Sequence, residues 1–275
     1  MQNSKFSVSI CVYNGDDAKN FDTAMGSIFS QTVVPDEVVL VVDGPVNGHI
    51  DEVIKKYENA SEALKVIRLG ENLGHGNARR EGLSNCTYDL VAIMDADDIC
   101  LPDRFEKQLN AFVDDDSLDI VGGNITEFIG EPDNIVGKRI VPQSDEDIKE
   151  YLKTRCPMNL VTVMLKKSSV QAVGGFIDWY CEEDYYLWAR MFMANQKFKN
   201  ISDVLVNVRV GEDMYRRRGG IKYFKSEAKF QKYLLDNKII SFGTYFVNVA
   251  KRVIVQVLMP NSIRGFVFKK FAREK

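Results

Sequence analysis

Over its first hundred residues the chain alternates short apolar runs with segments of helical spacing. Phe6–Val12 and Glu37–Val42 are nearly continuous apolar stretches, and residues 64–69 and 90–94 are two more. Runs this short, without polar alternation, predict strands buried on both faces. Between them, residues 16–31 place Phe21, Met25, Ile28 and Phe29 at helical spacing, and 50–57 and 76–86 also read as helices. Strand and helix in turn predict βαβ units and a parallel sheet covered on both sides. In such sheets ligands bind beyond the carboxyl ends of the strands. Asp43 and Asp95 fall at two of those ends.

The pattern then loosens. Residues 102–113 read as a helix with Pro102 and Asp103 in its first turn. Ile120–Phe128 reads as a strand, 145–153 as a helix behind a Ser144 cap, and 161–165 as a short strand. Residues 182–195 form a strong helical pattern and 204–210 another strand. The last sixty residues look helical and basic. No repeat, low-complexity tract or long linker interrupts the chain. The simplest account is one α/β domain over 1–215 and a basic helical extension over 216–275.

The 275 residues are 45% hydrophobic and 27% charged, enough apolar material for a large core and too much for global disorder. Charge changes the picture more. Residues 216–275 hold 15 Lys/Arg against 3 Asp/Glu, a net of +12, while 1–215 carry −15. A basic tail on an acidic body suits an anionic partner: nucleic acid, a membrane surface or a phosphorylated substrate. No recognised nucleic-acid module accompanies those charges, so nucleic acid is not expected. Cys11, Cys86, Cys100, Cys156 and Cys181 are odd in number and form no CxxC pair, which predicts reduced thiols in a reducing compartment. The N-terminal apolar run is too short and polar for a signal peptide. The longest apolar stretch, near 239–259, is broken by Lys251-Arg252, which argues against a membrane span.

The candidate chemistry begins where the apolar run 90–94 enters Asp95-Ala96-Asp97-Asp98. Three carboxylates in four residues repel one another unless a cation or hydrogen-bond donors offset them. Oxygen-only ligands suit Mg²⁺ or Mn²⁺, which keep several waters and bridge to a diphosphate. Taken alone, the run is equally an acidic turn leading into the next helix.

The order of several motifs separates these readings. Residues 7–14, SVSICVYN, resemble the opening strand of family 2 glycosyltransferases of GT-A fold. Residues 27–32 and 35–44 resemble that family's first helix and second strand. Residues 71–82, ENLGHGNARREG, resemble its next loop and helix, departing at Arg80, where Asn is more usual. Asp95-Ala96-Asp97-Asp98 resembles its DxDD metal motif, and Gly174-Gly175-Phe176 followed by Glu182-Glu183-Asp184-Tyr185-Tyr186-Leu187-Trp188 its GGF and ED segments. The likeness covers roughly 5–215. Within the family the chain is most similar to bacterial enzymes that assemble capsule, exopolysaccharide or O-antigen repeat units.

The resemblance implies a Rossmann-like, mostly parallel central sheet, with a nucleotide-binding half in about 1–100 and an acceptor half in about 101–215. It implies Mn²⁺ or Mg²⁺ held by Asp97 with Asp95, and a nucleotide-sugar site formed by Tyr13, Asn14, Asp43, Arg79, Asp95 and Ala96. Asp184 is implied as catalytic base, with Glu183 beside it. Trp188, one turn on, either stacks on a sugar or joins the core. Arg216, Arg217 and Arg218 would meet a diphosphate of the donor or of the acceptor. No His follows His75, so a third protein ligand for the metal is not evident.

The implied reaction moves a hexose, glucose or galactose, from a UDP-sugar to a sugar on undecaprenyl diphosphate, with inversion. That work would place the chain in the bacterial cytoplasm, peripheral on the inner face of the membrane through its C-terminal extension. Two rivals are a nucleotidyltransferase, which lacks its Gly-rich phosphate loop at Tyr13-Asn14-Gly15-Asp16-Asp17, and a non-catalytic binding scaffold, which would not need every carboxylate intact.

Overall fold

A computed structural model describes residues 4–211 and 219–259. Its first half runs β1 (Phe6–Val12), α1 (Ala18–Phe29), β2 (Glu37–Val42), α2 (Gly48–Ala60), β3 (Leu64–Arg68), α3 (His75–Asn85) and β4 (Leu90–Asp95). These strands pair in parallel in the order β3-β2-β1-β4. Both faces are apolar because successive residues serve different cores. Val38, Leu40 and Val42 of β2 join the cluster under α1 and α2, while Val39 joins the cluster holding Leu83 of α3. Ala92 and Met94 of β4 face the first cluster, Val91 and Ile93 the second. Asp17 caps α1 through the Asn20 amide, and Asn47 caps α2 through the amides of His49 and Ile50.

The second half extends the same sheet with mixed polarity. It contains β5 (Ile99–Cys100), α4 (Arg104–Asp114), β6 (Ile120–Phe128), β7 (Ile135–Arg139), α5 (Asp145–Leu152), β8 (Met164–Lys166), α6 (Lys167–Ala172), α7 (Glu183–Met193) and β9 (Phe198–Arg209). The order continues β4-β8-β6-β9-β5, and β7 pairs with β6. β9 runs parallel to β6, while β8, β7 and β5 are antiparallel to their neighbours.

Several local expectations change. The predicted strand at 161–165 divides into a 3-10 turn, Leu160–Thr162, and β8, because the Thr162 hydroxyl and amide close a turn on the Asn159 carbonyl. Pro102 and Asp103 precede α4 instead of forming its first turn. β9 begins at Phe198, six residues earlier than the apolar pattern at 204 suggests, and shifts register opposite Gly123 and Asn124. Ser144 caps α5 as expected.

α8 (Ile221–Asp236) and α9 (Phe242–Arg252) follow, and α9 ends in a π-helical turn, Val253–Leu258. α8 buries Phe230 and Leu234 in the cluster that holds Phe176, Leu187 and Trp188. Phe230 meets Tyr185 at 4.3 Å between ring centres, and Trp179 donates to the Ser226 hydroxyl. Among the described residues, no helix is long and apolar enough to cross a membrane.

Candidate active site

The acidic run sits where the parallel half of the sheet meets the mixed half. β4 delivers Asp95, whose register partner on β1 is Cys11. Beneath lies Arg104, wholly buried. Its Nη2 donates to the carbonyls of Ile93 (2.8 Å) and Val163 (3.3 Å), and its Nε to Gln108. A buried guanidinium satisfied by neutral oxygens fixes the last turn of main chain before the carboxylates.

The three carboxylates do different things. Asp98 is buried and accepts the Arg209 amide at 2.8 Å, tying the turn to β9. Burial and the charges of Asp97 and Asp95 push its carboxyl well up. Asp97 is exposed, and no ion pair engages it among the described residues. The protein around it, then Asp95 and Asp16, hold its carboxyl up at about 6. Asp95 pairs with Arg79, Oδ1 to Nη2 at 2.9 Å. Two adjacent carboxylates in mutual repulsion, one of them open, fit a hard divalent ion that keeps several waters. They do not make a closed cage: no group of three or more His, Cys, Asp and Glu converges for a metal among the described residues.

Asp43 ends β2 and is buried. Its two oxygens accept the amides of Leu73 (2.7 Å) and Gly74 (3.1 Å), and Asn72 donates to its carbonyl. The turn after it needs Gly44, at φ +84°, because a Cβ there would stand 2.7 Å from the Asn72 amide. Asp43 thus shapes the loop that leads into α3. Tyr13 is exposed after β1, its ring folded over Gly15 and 6.2 Å from His75. Asn14 accepts from Asn47 across the same mouth. Ala96 is buried in the core, so only its main chain is placed to meet a ligand.

Arg79 is buried on α3, and its partners differ from those expected. One terminal nitrogen meets Asp95, and the other meets Glu183 Oε1 at 2.7 Å. The guanidinium that the sequence offers to a diphosphate is turned onto two protein carboxylates. Gly76 permits this junction, since a Cβ there would lie 2.9 Å from Asp178 Cα in the segment entering α7.

Glu183 and Asp184 open α7. Burial and neighbouring Asp184 raise the Glu183 carboxyl, while Arg79 opposes them. Asp184 Oδ1 accepts the Tyr185 amide at 2.7 Å, and its Oδ2 faces Cys156 Sγ at 3.7 Å. Burial and Asp184 push the Cys156 thiol well up, so it stays protonated and donates. Trp188 corrects an expectation: it is wholly buried among Leu187, Met191 and Phe198 and cannot stack on a sugar. Arg216, Arg217 and Arg218 lie outside the described residues.

Asp97 and Asp184 open onto one cleft of about 810 Å³. Its wall also carries Arg139 from β7, Arg155, Arg209 from β9, and Tyr223, Glu227, Arg252 and Gln256 from the C-terminal helices. No local motif marks these residues. The excess of basic residues after 216 bears on Arg252 alone among these arginines.

A Rossmann-like sheet with carboxylates at its central strand ends, facing a second acidic pair at a helix start, defines a GT-A glycosyltransferase. The chain belongs to glycosyl transferase family 2, whose model matches residues 7–173. It is 35% identical to the UDP-Gal:alpha-D-GlcNAc-diphosphoundecaprenol beta-1,3-galactosyltransferase of Escherichia coli, over 98% of this chain and 97% of that one. It is 36% identical to the amylovoran biosynthesis glycosyltransferase AmsE of Erwinia amylovora, over 96% and 98%. In fold it is similar to S. aureus TarS 1-349 in complex with UDP-GlcNAc, at TM-score 0.67 and 18% identity, covering 96% of this chain and 79% of that one. The mannosyltransferase PcManGT from Pyrobaculum calidifontis, in complex with GDP-Man and Mn2+, aligns at TM-score 0.62 and 15% identity, over 92% and 70%. The protein is therefore a glycosyltransferase whose relatives serve exopolysaccharide and O-antigen synthesis.

Proposed function

We propose that the enzyme transfers a hexose, galactose or glucose, from a UDP-sugar to a sugar carried on a lipid diphosphate, inverting the anomeric centre. The observation that carries this reading is the shared cleft, which Asp97 and Asp184 both line. The relative in Escherichia coli that joins galactose to a diphosphoundecaprenol-linked sugar supports the same donor and acceptor classes.

The acceptor hydroxyl lies against Asp184 Oδ2. Oδ1 holds the Tyr185 amide at 2.7 Å and Oδ2 only the long thiol contact of Cys156 at 3.7 Å, so Oδ2 takes the proton as the acceptor oxygen bonds to the anomeric carbon. The bond from that carbon to the donor diphosphate breaks on the opposite face, and UDP leaves with the electron pair. Tyr13, Asn14 and the loop shaped by Asp43 border the nucleotide. Asp97 and Asp95 would hold Mn²⁺ or Mg²⁺, which when bound neutralises charge gathering on the departing diphosphate.

The enzyme works peripherally on the cytoplasmic face of the bacterial membrane. The outer side of α9 and its π turn supports this placement, with Phe242, Phe246, Ile254 and Leu258 exposed along one stripe. The test is a screen of UDP-hexoses and UDP-N-acetylhexosamines with lipid-diphosphate-linked sugars as acceptors. Transfer from UDP-galactose or UDP-glucose, dependent on a divalent cation, is expected. Pyrophosphate release from a nucleoside triphosphate, without sugar transfer, would sink the reading.

A further inference from the structure

The C-terminal helices do not merely cover the domain; they furnish one end of the cleft. We propose that Arg139, Arg155 and Arg252 form the subsite that grips the diphosphate of the acceptor. The proposal rests on the acceptor being a lipid-diphosphate-linked sugar, as above.

Three separate elements bring these side chains to one short segment, 154–156. Arg139 ends β7 and donates through Nη2 to the Cys156 carbonyl at 2.7 Å, with Nη1 on Asn159 Oδ1 at 2.8 Å. Arg252 ends α9 and reaches the Thr154 carbonyl at 3.3 Å. Arg155 belongs to the segment itself, and all three line the cleft, half-buried. The same segment touches the base, because Cys156 Sγ is 3.7 Å from Asp184 Oδ2. The segment that gathers the arginines is thus the one that touches the base, and all of them line the cleft that Asp184 lines.

The chemistry of the wall suits a diphosphate. A guanidinium held by protein acceptors is a pre-oriented planar fork, and such forks match phosphate oxygens two at a time. Glu227 pairs with Arg252 and also receives Gln256, which holds the cation in place. Glu182 also lines the cleft, its carboxyl pushed well up by burial, Glu227 and Asp184. Arg209 is held by different partners: its Nε donates to the Asp97 carbonyl at 3.2 Å and its Nη1 to the Gly130 carbonyl. On this proposal Arg209 serves the donor and the other three arginines the acceptor.

The donor also carries a diphosphate, and the experiment separates the two sources. An alkyl diphosphate without sugar serves as probe, and its inhibition is measured against varied acceptor and varied UDP-sugar in the full-length enzyme. It should compete with the acceptor. Arg139→Gln and Arg155→Gln should each raise its inhibition constant about 10–100-fold, the loss of one charge-assisted phosphate contact. Arg139→Lys should fall between, and UDP binding should be retained in all three. Competition with the UDP-sugar instead, an unchanged inhibition constant, or loss of UDP binding in every variant would overturn the subsite. Absence of transfer by the wild-type enzyme to any lipid-diphosphate sugar is read without variants, and it would remove the functional reading together with the subsite.

Discussion

Arg79 joins Asp95 to Glu183, with one guanidinium nitrogen 2.9 Å from the first carboxylate and the other 2.7 Å from the second. The two acidic motifs stand nearly ninety residues apart in sequence, on β4 and on α7, and this buried side chain is their direct link. Removing it would leave Glu183 with a raised carboxyl and no counter-charge. We expect Arg79→Ala to cost about 3 kcal/mol of stability, toward the lower end for a broken buried pair because Asp95 is partly exposed. Transfer should fall at least 100-fold. Arg79→Lys cannot fork to both carboxylates and should recover stability more than activity. Wild-type transfer by Arg79→Ala, measured under saturating donor, would remove the coupling.

The raised Asp97 carboxyl makes a signed prediction about pH. Its folded value, about 6, stands above the ordinary value of 3.8. The folded state therefore holds more protons than the unfolded state between these values. Stability contributed by the protonated group is present below about 4 and is lost as pH rises through 6. Asp98 and Glu183 act in the same direction. Groups with lowered values, such as Asp22 and Glu37, are already ionised in both states across most of that window. The metal-free protein should thus lose melting temperature from pH 5 to pH 7, and Mn²⁺ should restore it at pH 7. Asp97→Asn should flatten the pH dependence and abolish the Mn²⁺ effect. A metal-free melting temperature that climbs over this interval, in wild type and variant alike, would contradict the assignment.

Asp184 is the sharper test of mechanism. Asp184→Asn keeps the size of the side chain and an acceptor for the Tyr185 amide, and it removes the proton acceptor at Oδ2. The turnover rate should drop about 10²–10⁴-fold, the range for a general base. UDP binding should remain, since the nucleotide contacts proposed for Tyr13, Asn14, Asp43 and Asp97 do not involve Asp184. Retained turnover in the variant would assign the proton to another group.

The parallel half of the fold was legible because its strands are buried on both faces. β1 and β2 keep their sequence-read limits, since no polar alternation blurs a continuous apolar run. β5 has two residues, and β7 is the partly exposed, glycine-broken strand Ile135-Val136-Gly137-Lys138-Arg139. Neither leaves a periodic trace. Asp43 and Asp95 were legible because the ends of apolar runs place them in the sequence itself. The arginines of the cleft were not, because Arg139, Arg155 and Arg252 converge on residues 154–156 only through tertiary contacts. Trp188 was ambiguous for a physical reason: a residue one turn after Asp184 shares its side of the helix, but only the first turn reaches the cleft. Arg104 gave no signal, since a charged residue at the start of an amphipathic helix reads as solvated.

Arg104 nevertheless supports a prediction. It is wholly buried and donates to the Ile93 carbonyl at 2.8 Å, while the Val163 carbonyl it also reaches accepts the Ile93 amide as well. Arg104→Ala would take the guanidinium from the Ile93 carbonyl, open a cavity and free the end of β4. Denaturant unfolding should show a loss of about 3 kcal/mol or more. Arg104→Met should recover part of the packing loss, but not the UDP affinity that depends on a fixed Asp95. Equal UDP affinity in Arg104→Met and wild type would detach this side chain from the site.

α9 presents two unlike faces, and this refines how membrane contact should be tested. Its inner face carries Asn248, which donates to the Lys153 carbonyl and to Gln231, along with the cleft residues Arg252 and Gln256. Its outer face carries Phe242, Phe246, Ile254 and Leu258, each more than half exposed. Deleting 240–275 would remove both faces and confound binding with folding. Phe246→Ser and Leu258→Ser touch only the outer one. Sedimentation with vesicles containing anionic lipid should show roughly tenfold weaker partitioning for each, from the apolar surface no longer buried in the interface. Added salt should weaken the wild type further by screening the basic residues of the extension. Transfer to a short-chain, water-soluble acceptor should persist in both variants. Equal partitioning of the double variant and the wild type would show that this face does not contact the bilayer.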